Sequence, residues 1–343
     1  MGGKVAITMR DVAKLARVST KTVSRVVNRE SAVREDTRDR VLQAIEQLDY
    51  RPELSARGAS DAKAYSIGLI YDNPNPYYII AMQEGTLAAC LDLGYGLQIY
   101  PFHAKPPGVA DALQDLVLRA RLAGLVLAPP MSERTALLDK LAAYNIPLVR
   151  VISAAESPRD RFPCIFVNDR GAAYAITEHL IQLGHSRIGF LWGRKEFTSS
   201  TERYKGYELA LRDYGISLAK ELVVQGDYSF DDGFRGAHRL LKLAKPPTAI
   251  FGSNDEIAAG ALAAARAAGV DVPYGLSIAG FEDSPFSRHS WPSLTTSRQR
   301  TDLIAEHATR LLIAQIRGDT VKNEGFTPEL VVRNSTAPPR PRA

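Results

Sequence analysis

The chain has 343 residues, 45% of them hydrophobic and 24% charged, with a formal net charge of +5. This length suits two or three domains, and the hydrophobic fraction suffices for buried cores. No apolar run reaches the roughly 18 residues of a membrane span, and Arg10 and Asp11 stand where a signal peptide would be apolar. The two cysteines have no motif spacing, so we expect no disulfide and a cytoplasmic, nucleoid-associated protein without a membrane partner.

Basic residues are concentrated near the N-terminus. Residues 1–63 contain 13 Lys/Arg and 9 Asp/Glu, a surplus of 4, whereas the other 280 residues contain 30 and 29. A small basic head on a neutral body fits a polyanionic partner such as nucleic acid. A solvated basic face would give the same surplus, so charge alone leaves both interpretations open.

Residues 7–49 are predicted to form three short helices. Thr8 and Asp11 fit a capping box at the start of the first helix, and Ser19 is the N-cap of the second. Only two residues separate the first helix from this cap, which leaves room for a tight turn and nothing more. Two such helices, supported by a third at about 34–48, form a helix-turn-helix.

The second helix, predicted over 20–28, presents polar side chains on its outer face. Thr20 and Lys21 near its N-terminus would meet base edges in the major groove, and Arg25 could bind a guanine. A small helical bundle with a solvated polar face is the alternative interpretation, which suits any single residue better than the whole arrangement. Further DNA contacts, mainly to phosphates, are predicted for Thr8, Ser19, Thr22, Ser24 and Asn28.

The segment MRDVAKLARVSTKTVSRVVNRE resembles the N-terminal signature of the LacI/GalR family, D-V-A-x-x-A-G-V-S-x-x-T-V-S-R-V-V-N, at nearly every position. The resemblance implies that Thr20, Lys21 and Arg25 occupy the family's base-reading positions. One departure is Arg17, where the family usually has glycine. If the backbone is left-handed there, arginine costs about 1 kcal/mol.

Residues 51–64 are predicted to be a hinge between a DNA-binding domain at 1–50 and the core. The resemblance implies a segment that folds when two subunits meet on DNA and wedges an apolar side chain into the minor groove. The wedge position holds Ala59, which is short, and Gly58 before it weakens a helix; Leu54 is a weaker substitute. We therefore expect weaker operator binding, or less DNA bending, than in relatives.

From Ser66 onward, short apolar runs alternate with amphipathic helical patterns, which indicates parallel sheets covered on both faces. The predicted fold class is α/β: a helix-turn-helix head, then a periplasmic-binding-protein-like core of two doubly wound lobes. The core is placed at 65–336, with an N-lobe at about 65–164 and 295–318, a C-lobe at about 165–294 and 319–336, and a disordered tail at 337–343. Strands are predicted at 66–71, 96–100, 124–128, 147–151, 165–167, 187–191, 249–251 and 277–280.

Ligands of such sheets bind beyond the carboxyl ends of the strands, where this chain has amides, carboxylates, an arginine and aromatic rings. Sugar hydroxyls need the polar partners, and ring faces need aromatic walls. The loops also have plain structural interpretations, because 71–78 could be only a helix entry and Asn254 only a helix cap. The predicted effector-binding residues are Asn73, Asn75, Tyr77, Tyr78, Ser199, Arg203, Tyr228, Asn254 and Glu282.

Several of these residues belong to segments that extend the family resemblance along the chain, including Arg203-x-x-Gly-Tyr207 and Gly280-Phe281-Glu282-Asp283. By that resemblance Arg203, Asn254 and Glu282 contact the effector, and Tyr77, Tyr78 and Tyr228 form its wall. Many relatives have Asp where this chain has Glu282. We interpret His185 as a packing residue, and expect no metal site and no cofactor.

These features predict a repressor of carbohydrate-utilisation genes whose operator affinity is controlled by a sugar-like effector. The proline-broken C-terminus favours a homodimer, and hence a near-palindromic operator. One alternative is a free-standing sugar-binding or transport protein, which would have no use for the head. Another is a carbohydrate-active enzyme, but the adjacent Glu282 and Asp283 do not flank a bond from two sides, so no enzyme is expected. The resemblance favours induction over corepression without deciding between them.

Overall fold

The computed structural model describes residues 8–27, 33–48, 65–102, 108–159 and 161–340. These residues divide into two units, one up to Lys63 and one from Ala64 onward. The predicted DNA contacts of Asn28, Leu54 and Ala59, and the predicted hinge at 51–64, lie outside the described residues. No helix of the described ranges is both long and apolar enough to cross a bilayer.

The first unit is a three-helix head made of α1 (Met9–Ala16), α2 (Thr20–Val27) and α3 (Glu35–Gln47). The predicted caps are present. The Asp11 carboxylate accepts from the Thr8 backbone N–H at 2.7 Å and hydroxyl at 2.6 Å, and the Ser19 hydroxyl accepts from the Thr22 N–H at 3.1 Å. Small side chains fill the core between the helices, namely Val12, Ala13, Ala16, Val23, Val26, Val41 and Ala44.

Arg17 ends α1 in the left-handed backbone region, at φ 52° and ψ 50°. A Cβ in this region costs about 1–2 kcal/mol, so we expect Arg17→Gly to raise the free energy of unfolding of the head by about 1 kcal/mol. Native-state hydrogen exchange of the α1 and α3 amides measures it. Arg40→Gly on the exposed face of α3 is the control and should lower that free energy by about 1 kcal/mol. A change of the same sign in both variants would contradict this account.

The second unit alternates strands and helices. Its strands are β1 (Ser66–Tyr71), β2 (Gly96–Pro101), β3 (Leu122–Leu127), β4 (Leu148–Ser153), β5 (Cys164–Val167), β6 (Ile188–Trp192), β7 (Val223–Gln225), β8 (Ala249–Gly252), β9 (Ser277–Ala279), β10 (Thr296–Arg298), β11 (Glu324–Phe326) and β12 (Glu329–Val331). Its helices are α4 (Pro76–Leu93), α5 (Val109–Ala120), α6 (Thr135–Ala143), α7 (Asp169–Gln182), α8 (Thr198–Asp213), α9 (Phe230–Leu241), α10 (Asp255–Ala267), α11 (Pro285–His289) and α12 (Thr301–Arg317).

These elements build two lobes, each around a parallel sheet. The first lobe has the strand order β11-β5-β4-β3-β1-β2, and the second has β7-β6-β8-β9. Helices cover both faces of each sheet, because the cores on the two faces draw on different helices. An antiparallel pair, β10 with β12, lies outside both sheets, where the chain passes between the lobes. The prediction of two doubly wound α/β lobes is confirmed.

The predicted lobe limits differ from the structure. Strands β5 and β11 fall within the ranges assigned to the C-lobe, yet both belong to the first sheet, where Ile165 pairs with Val151 on β4 and with Glu324 on β11. The chain therefore first crosses at Asn168, the N-cap of α7, and not at 164. The tail predicted as disordered is also held at its start, since Ala337 N–H donates to Ser277 Oγ at 3.0 Å.

Candidate ligand cleft and nucleic-acid interface

The outer face of α2 carries the polar residues predicted to read DNA. Thr20, Lys21 and Arg25 are exposed, while Val23 and Val26 on the opposite side are buried. The spacing of the valines fixes this orientation, because residues three apart share a helix face. One face of the helix therefore presents a threonine, a lysine and an arginine in a row suited to the edges of a major groove.

A second candidate site lies between the two lobes of the larger unit, where a cavity of about 190 Å³ is lined by residues from both sheets. It sits where doubly wound folds bind ligands, beyond the carboxyl ends of the strands. Eight of the nine predicted effector residues line it: Asn73, Asn75, Tyr78, Ser199, Arg203, Tyr228, Asn254 and Glu282.

Tyr77 is the ninth, and it does not line this cavity. Its ring packs edge-on against Phe286, with centroids 5.6 Å apart. Tyr77 and Tyr78 follow each other at the start of α4, and one helical step turns a side chain by about 100°. Only Tyr78 can therefore face the cavity.

Arg203 is the centre of the cleft's charge network. Its side chain is 4% exposed and donates from Nε to Asp169 Oδ1 at 2.8 Å and from Nη1 to Ser253 O at 2.7 Å. Nη1 is also 3.4 Å from Glu282 Oε1, and the guanidinium lies 3.8 Å from the Phe281 ring centroid. A buried charge of this kind is tolerated because it is paired and hydrogen-bonded.

Glu282 and Asp283 direct their carboxylates to different places. Both have positive φ, 104° and 58°, a backbone strain that clusters at functional sites. Glu282 lines the cavity, and burial raises its pKa while Arg203 opposes the rise. Burial would also raise the pKa of Asp283, but hydrogen bonds from Arg298 and Arg333 hold it below the usual value. Only the first carboxylate is therefore placed to bind a ligand.

Two of the predicted effector residues cap a helix and also line the cavity. Asn75 caps α4 by accepting from Tyr77 N–H at 3.1 Å, and its Nδ2 donates across the cleft to Glu282 Oε2 at 2.8 Å. Asn254 caps α10 by accepting from Ile257 N–H at 2.8 Å, and it also lines the cavity. The two interpretations that the sequence left open are thus compatible.

The aromatic wall depends on a glycine. A Cβ on Gly193 would lie 2.3 Å from the ring of Tyr228, so only glycine lets this ring pack against the backbone. We expect Gly193→Ala to displace Tyr228 and to weaken ligand binding about tenfold, as titration calorimetry would show. Gly215→Ala is the control, because nothing lies within 4 Å of its Cβ position. Because Gly215 has a positive φ, its alanine variant should lose stability but not ligand affinity. Equal binding by both variants would mean that the Tyr228 ring does not contribute to ligand binding.

Several cavity residues were not predicted. Ser153 is the last residue of β4 and Asp169 follows β5, so the rule of inspecting strand ends could have found them. Asp227 follows β7, whose three residues are too few for the sequence pattern to reveal a strand. The remaining unpredicted polar and aromatic residues in the lining are Arg194, Phe197, Ser229, Glu256 and Gln299.

The described part of the chain contains no group of three or more His, Cys, Asp or Glu placed to hold a metal ion. His185 is buried, with Nδ1 2.9 Å from Thr248 Oγ1 and Nε2 3.0 Å from Ala337 O. Both ring nitrogens thus have hydrogen-bond partners within the protein, which is consistent with the interpretation of His185 as a packing residue.

Comparisons with known proteins match both parts of the chain. Residues 8–53 match the family of bacterial regulatory proteins named after lacI, and residues 177–336 match a periplasmic binding protein-like domain. The HTH-type transcriptional repressor PurR of Actinobacillus pleuropneumoniae serotype 3 (strain JL03) is 35% identical over 96% of this chain and 98% of its own length. The probable HTH-type transcriptional repressor ExuR of Bacillus subtilis (strain 168) is 32% identical, with the same coverage.

Solved structures agree. A lac repressor dimer bound to operator and the anti-inducer ONPF is 26% identical with a TM-score of 0.77, covering 97% of this chain and 100% of that one. The transcriptional regulator CelR in complex with cellobiose is 26% identical with a TM-score of 0.72, covering 96% of this chain and 99% of that one. These similar proteins are transcription regulators and not enzymes.

Proposed function

The chain belongs to the LacI family of transcription regulators and is a repressor rather than an enzyme, and we propose that a small neutral sugar in the cleft controls its affinity for operator DNA. The observation that carries this proposal is the lining of the cavity. It combines amides and carboxylates with aromatic rings in one enclosed space. Hydroxyl groups and apolar ring faces need these two kinds of partner. The regulated genes would be those for carbohydrate use.

The size and charge of the cavity narrow the effector. About 190 Å³ is below the roughly 300–1,000 Å³ of pockets for drug-sized ligands, which supports a single-ring molecule. The lining has two cationic side chains, Arg194 and Arg203, against four carboxylates. An anionic ligand would add to this negative excess, so a neutral polyol is favoured. CelR holds cellobiose in its solved complex, a neutral sugar.

A binding panel tests the effector class. Purified protein is titrated calorimetrically with neutral monosaccharides, the matching uronic acids and free nucleobases. We expect at least one neutral monosaccharide to bind and its uronic acid to bind more weakly. Operator affinity measured with and without the bound sugar then tests the control of DNA binding. A nucleobase or uronate as the only ligand, or an unchanged operator affinity, would overturn the proposal.

For the DNA, we propose that Thr20, Lys21 and Arg25 read bases from the major groove. Their exposure on one face of α2 and the match of residues 8–53 to the family support this. Arg25→Ala should cost about 1–3 kcal/mol of operator binding and relax specificity at one base pair. The other proposed contacts, to phosphates or the groove edge, are those of Thr8, Ser19, Thr22 and Ser24.

We also propose a homodimer that covers an apolar surface on the second lobe. Trp291 is 85% exposed beside the exposed Tyr274, in a groove of about 1040 Å³ that also contains Leu262, Val270 and Val272. An exposed patch of this kind marks a protein interface. A second copy is the occupant because the similar lac repressor was solved as a dimer on operator DNA. A dimer presents two heads to a near-palindromic site.

A further inference from the structure

Within the described residues, three of the polar contacts that cross the cleft between the lobes are informative. Asn75 donates to Glu282 at 2.8 Å, and Ser153 Oγ donates to Asp169 Oδ2 at 2.6 Å. These four residues line the cavity and are accounted for by ligand binding. The third contact involves Glu133, which does not line the cavity. Its role is therefore separate from direct recognition of the effector.

Glu133 belongs to the first lobe, at the end of the one-turn helix Met131–Glu133 that follows β3. Its Oε1 accepts from the backbone N–H of Ser153 at 2.8 Å. The hydroxyl and backbone N–H of Thr198 also face this carboxylate, from the second lobe. Thr198 is the first residue of α8, and its N-cap Phe197 supplies no side-chain hydrogen bond. A carboxylate of one lobe thus caps a helix of the other.

This cap is directly linked to the effector site. The helix α8 carries Ser199 and Arg203, and the Ser153 that Glu133 orients also lines the cavity. A carboxylate at a helix N-terminus interacts favourably with the orphan N–H groups and the helix dipole. The contact exists only while the lobes are together, since its two sides belong to different sheets.

The charges around Glu133 disfavour its ionised form. Asp169 on α7 adds a like charge, whereas Tyr78 on α4 is a neutral neighbour because burial raises its pKa. The cations nearby have other partners: Arg203 is shared by Asp169 and Glu282, Arg134 pairs with Asp72 at 3.0 Å, and Arg150 on β4 donates to Ser132 O. Burial raises the pKa of Glu133 to about 7, although hydrogen bonds from Ser153 and Thr198 oppose the rise.

We propose that Glu133 is a positioning residue that joins the two lobes and makes closure of the cleft take up one proton. It deepens the proposed function, because an effector held in the cleft between the lobes would act on the same opening and closing. Opening the cleft takes Thr198 away from the carboxylate and admits water, which moves the pKa of Glu133 down toward the ordinary value of about 4.3. The closed form then binds the proton more tightly than the open form. The ratio of closed to open protein therefore rises as pH falls below about 7.

The expected size of the pH effect on closure follows from the uptake of one proton. Between the two pKa values the ratio changes by up to tenfold per pH unit, so it should be about tenfold higher at pH 6 than at pH 8. Asp255 is a second buried carboxyl with a pKa raised by burial to about 7, but its partners Thr296 and Ser284 are not in the first lobe's sheet. Titration of Asp255 would be unchanged in a Glu133 variant, so the experiment distinguishes the two carboxyl groups.

The experiment measures the distance between the lobes without any ligand. Spin labels are attached to the full chain at Arg119→Cys and Arg212→Cys, whose side chains are 80% and 74% exposed, one in each lobe. The native Cys90 and Cys164 are buried. Pulsed electron–electron distance distributions are recorded at pH 6, 7 and 8 in this background. The same measurements are then made on the variants Glu133→Gln, Glu133→Ala and Glu156→Gln. The last variant is the control, because Glu156 is an exposed carboxylate of the same lobe.

We expect the background and Glu156→Gln to favour the short distance about tenfold more at pH 6 than at pH 8. Glu133→Gln should lose most of this pH dependence, with Glu282, another cleft carboxylate whose pKa burial raises, as the source of any remainder. It should be closed at pH 8 at least as much as the background, because glutamine keeps an acceptor without a charge. Glu133→Ala should lose most of the pH dependence as well and be more open than the background at pH 6. The inference is overturned if Glu133→Gln keeps the pH dependence of the background, or if the background shows no pH dependence. It is also overturned if Glu133→Ala is as closed at pH 6 as the background. None of these results depends on which effector binds.

Discussion

Arg203→Ala is expected to lower the free energy of unfolding of the larger unit by about 3–5 kcal/mol, the largest effect of any single change in the cleft. Removing the guanidinium leaves Asp169, only 3% exposed, and the buried end of Glu282 without their cation. The hydrogen bond to Ser253 O is lost as well. Acid should partly rescue the variant, because burial raises the pKa of the Glu282 carboxyl, which can then take up a proton. Chemical denaturation at pH 5.5 and pH 8 measures both effects.

Two further variants make this prediction specific. Arg212→Ala removes a surface arginine that is 74% exposed beside Asp213, so it should change stability by less than about 1 kcal/mol. The double change of Arg203→Ala with Asp169→Asn should be less damaging than the sum of the single changes, since it removes both partners of one pair. Equal losses for Arg203→Ala and Arg212→Ala, or strict additivity of the pair, would mean that the network contributes little.

The local sequence determines much of this fold. The head was predictable because its caps at Thr8 and Ser19 and its valine spacing are local signals, which need no knowledge of distant contacts. The longer strands were predictable for the same reason. Residues such as Arg203 and Glu282 could be predicted to line the cavity because strand ends converge at one edge of a parallel sheet.

What escaped prediction depends on contacts between distant segments. Strands β7, β10, β11 and β12 have three residues each and contain an exposed residue, whereas the equally short β9 is fully buried and was predicted. The strand β11 belongs to the first lobe only because Glu324 pairs with Ile165, more than 150 residues away in the chain. Glu133 had no sequence signal at all. It gains a role only when its lobe meets the N-terminus of α8.

The second large effect is expected at the proposed dimer interface. Trp291→Glu should convert the dimer into a monomer at micromolar concentration, as sedimentation or light scattering would show. A buried tryptophan hot spot contributes at least about 2 kcal/mol, and a two-fold interface contains it twice. The loss of about 4 kcal/mol raises the dimer dissociation constant roughly a thousandfold.

Operator binding should fall with the dimer, because one head contacts only one half-site. The isolated half-site affinity should stay unchanged, since Trp291 belongs to the larger unit and not to the head. Leu218→Glu is the matched control: Leu218 is also an exposed apolar residue of the second lobe, but it lies beside α8 rather than in the Trp291 groove. It should leave both mass and operator affinity as they are. If Trp291→Glu remains a dimer, the subunits meet through another surface. The exposed Leu91 and Ile80 on α4 would then be the next apolar residues to change.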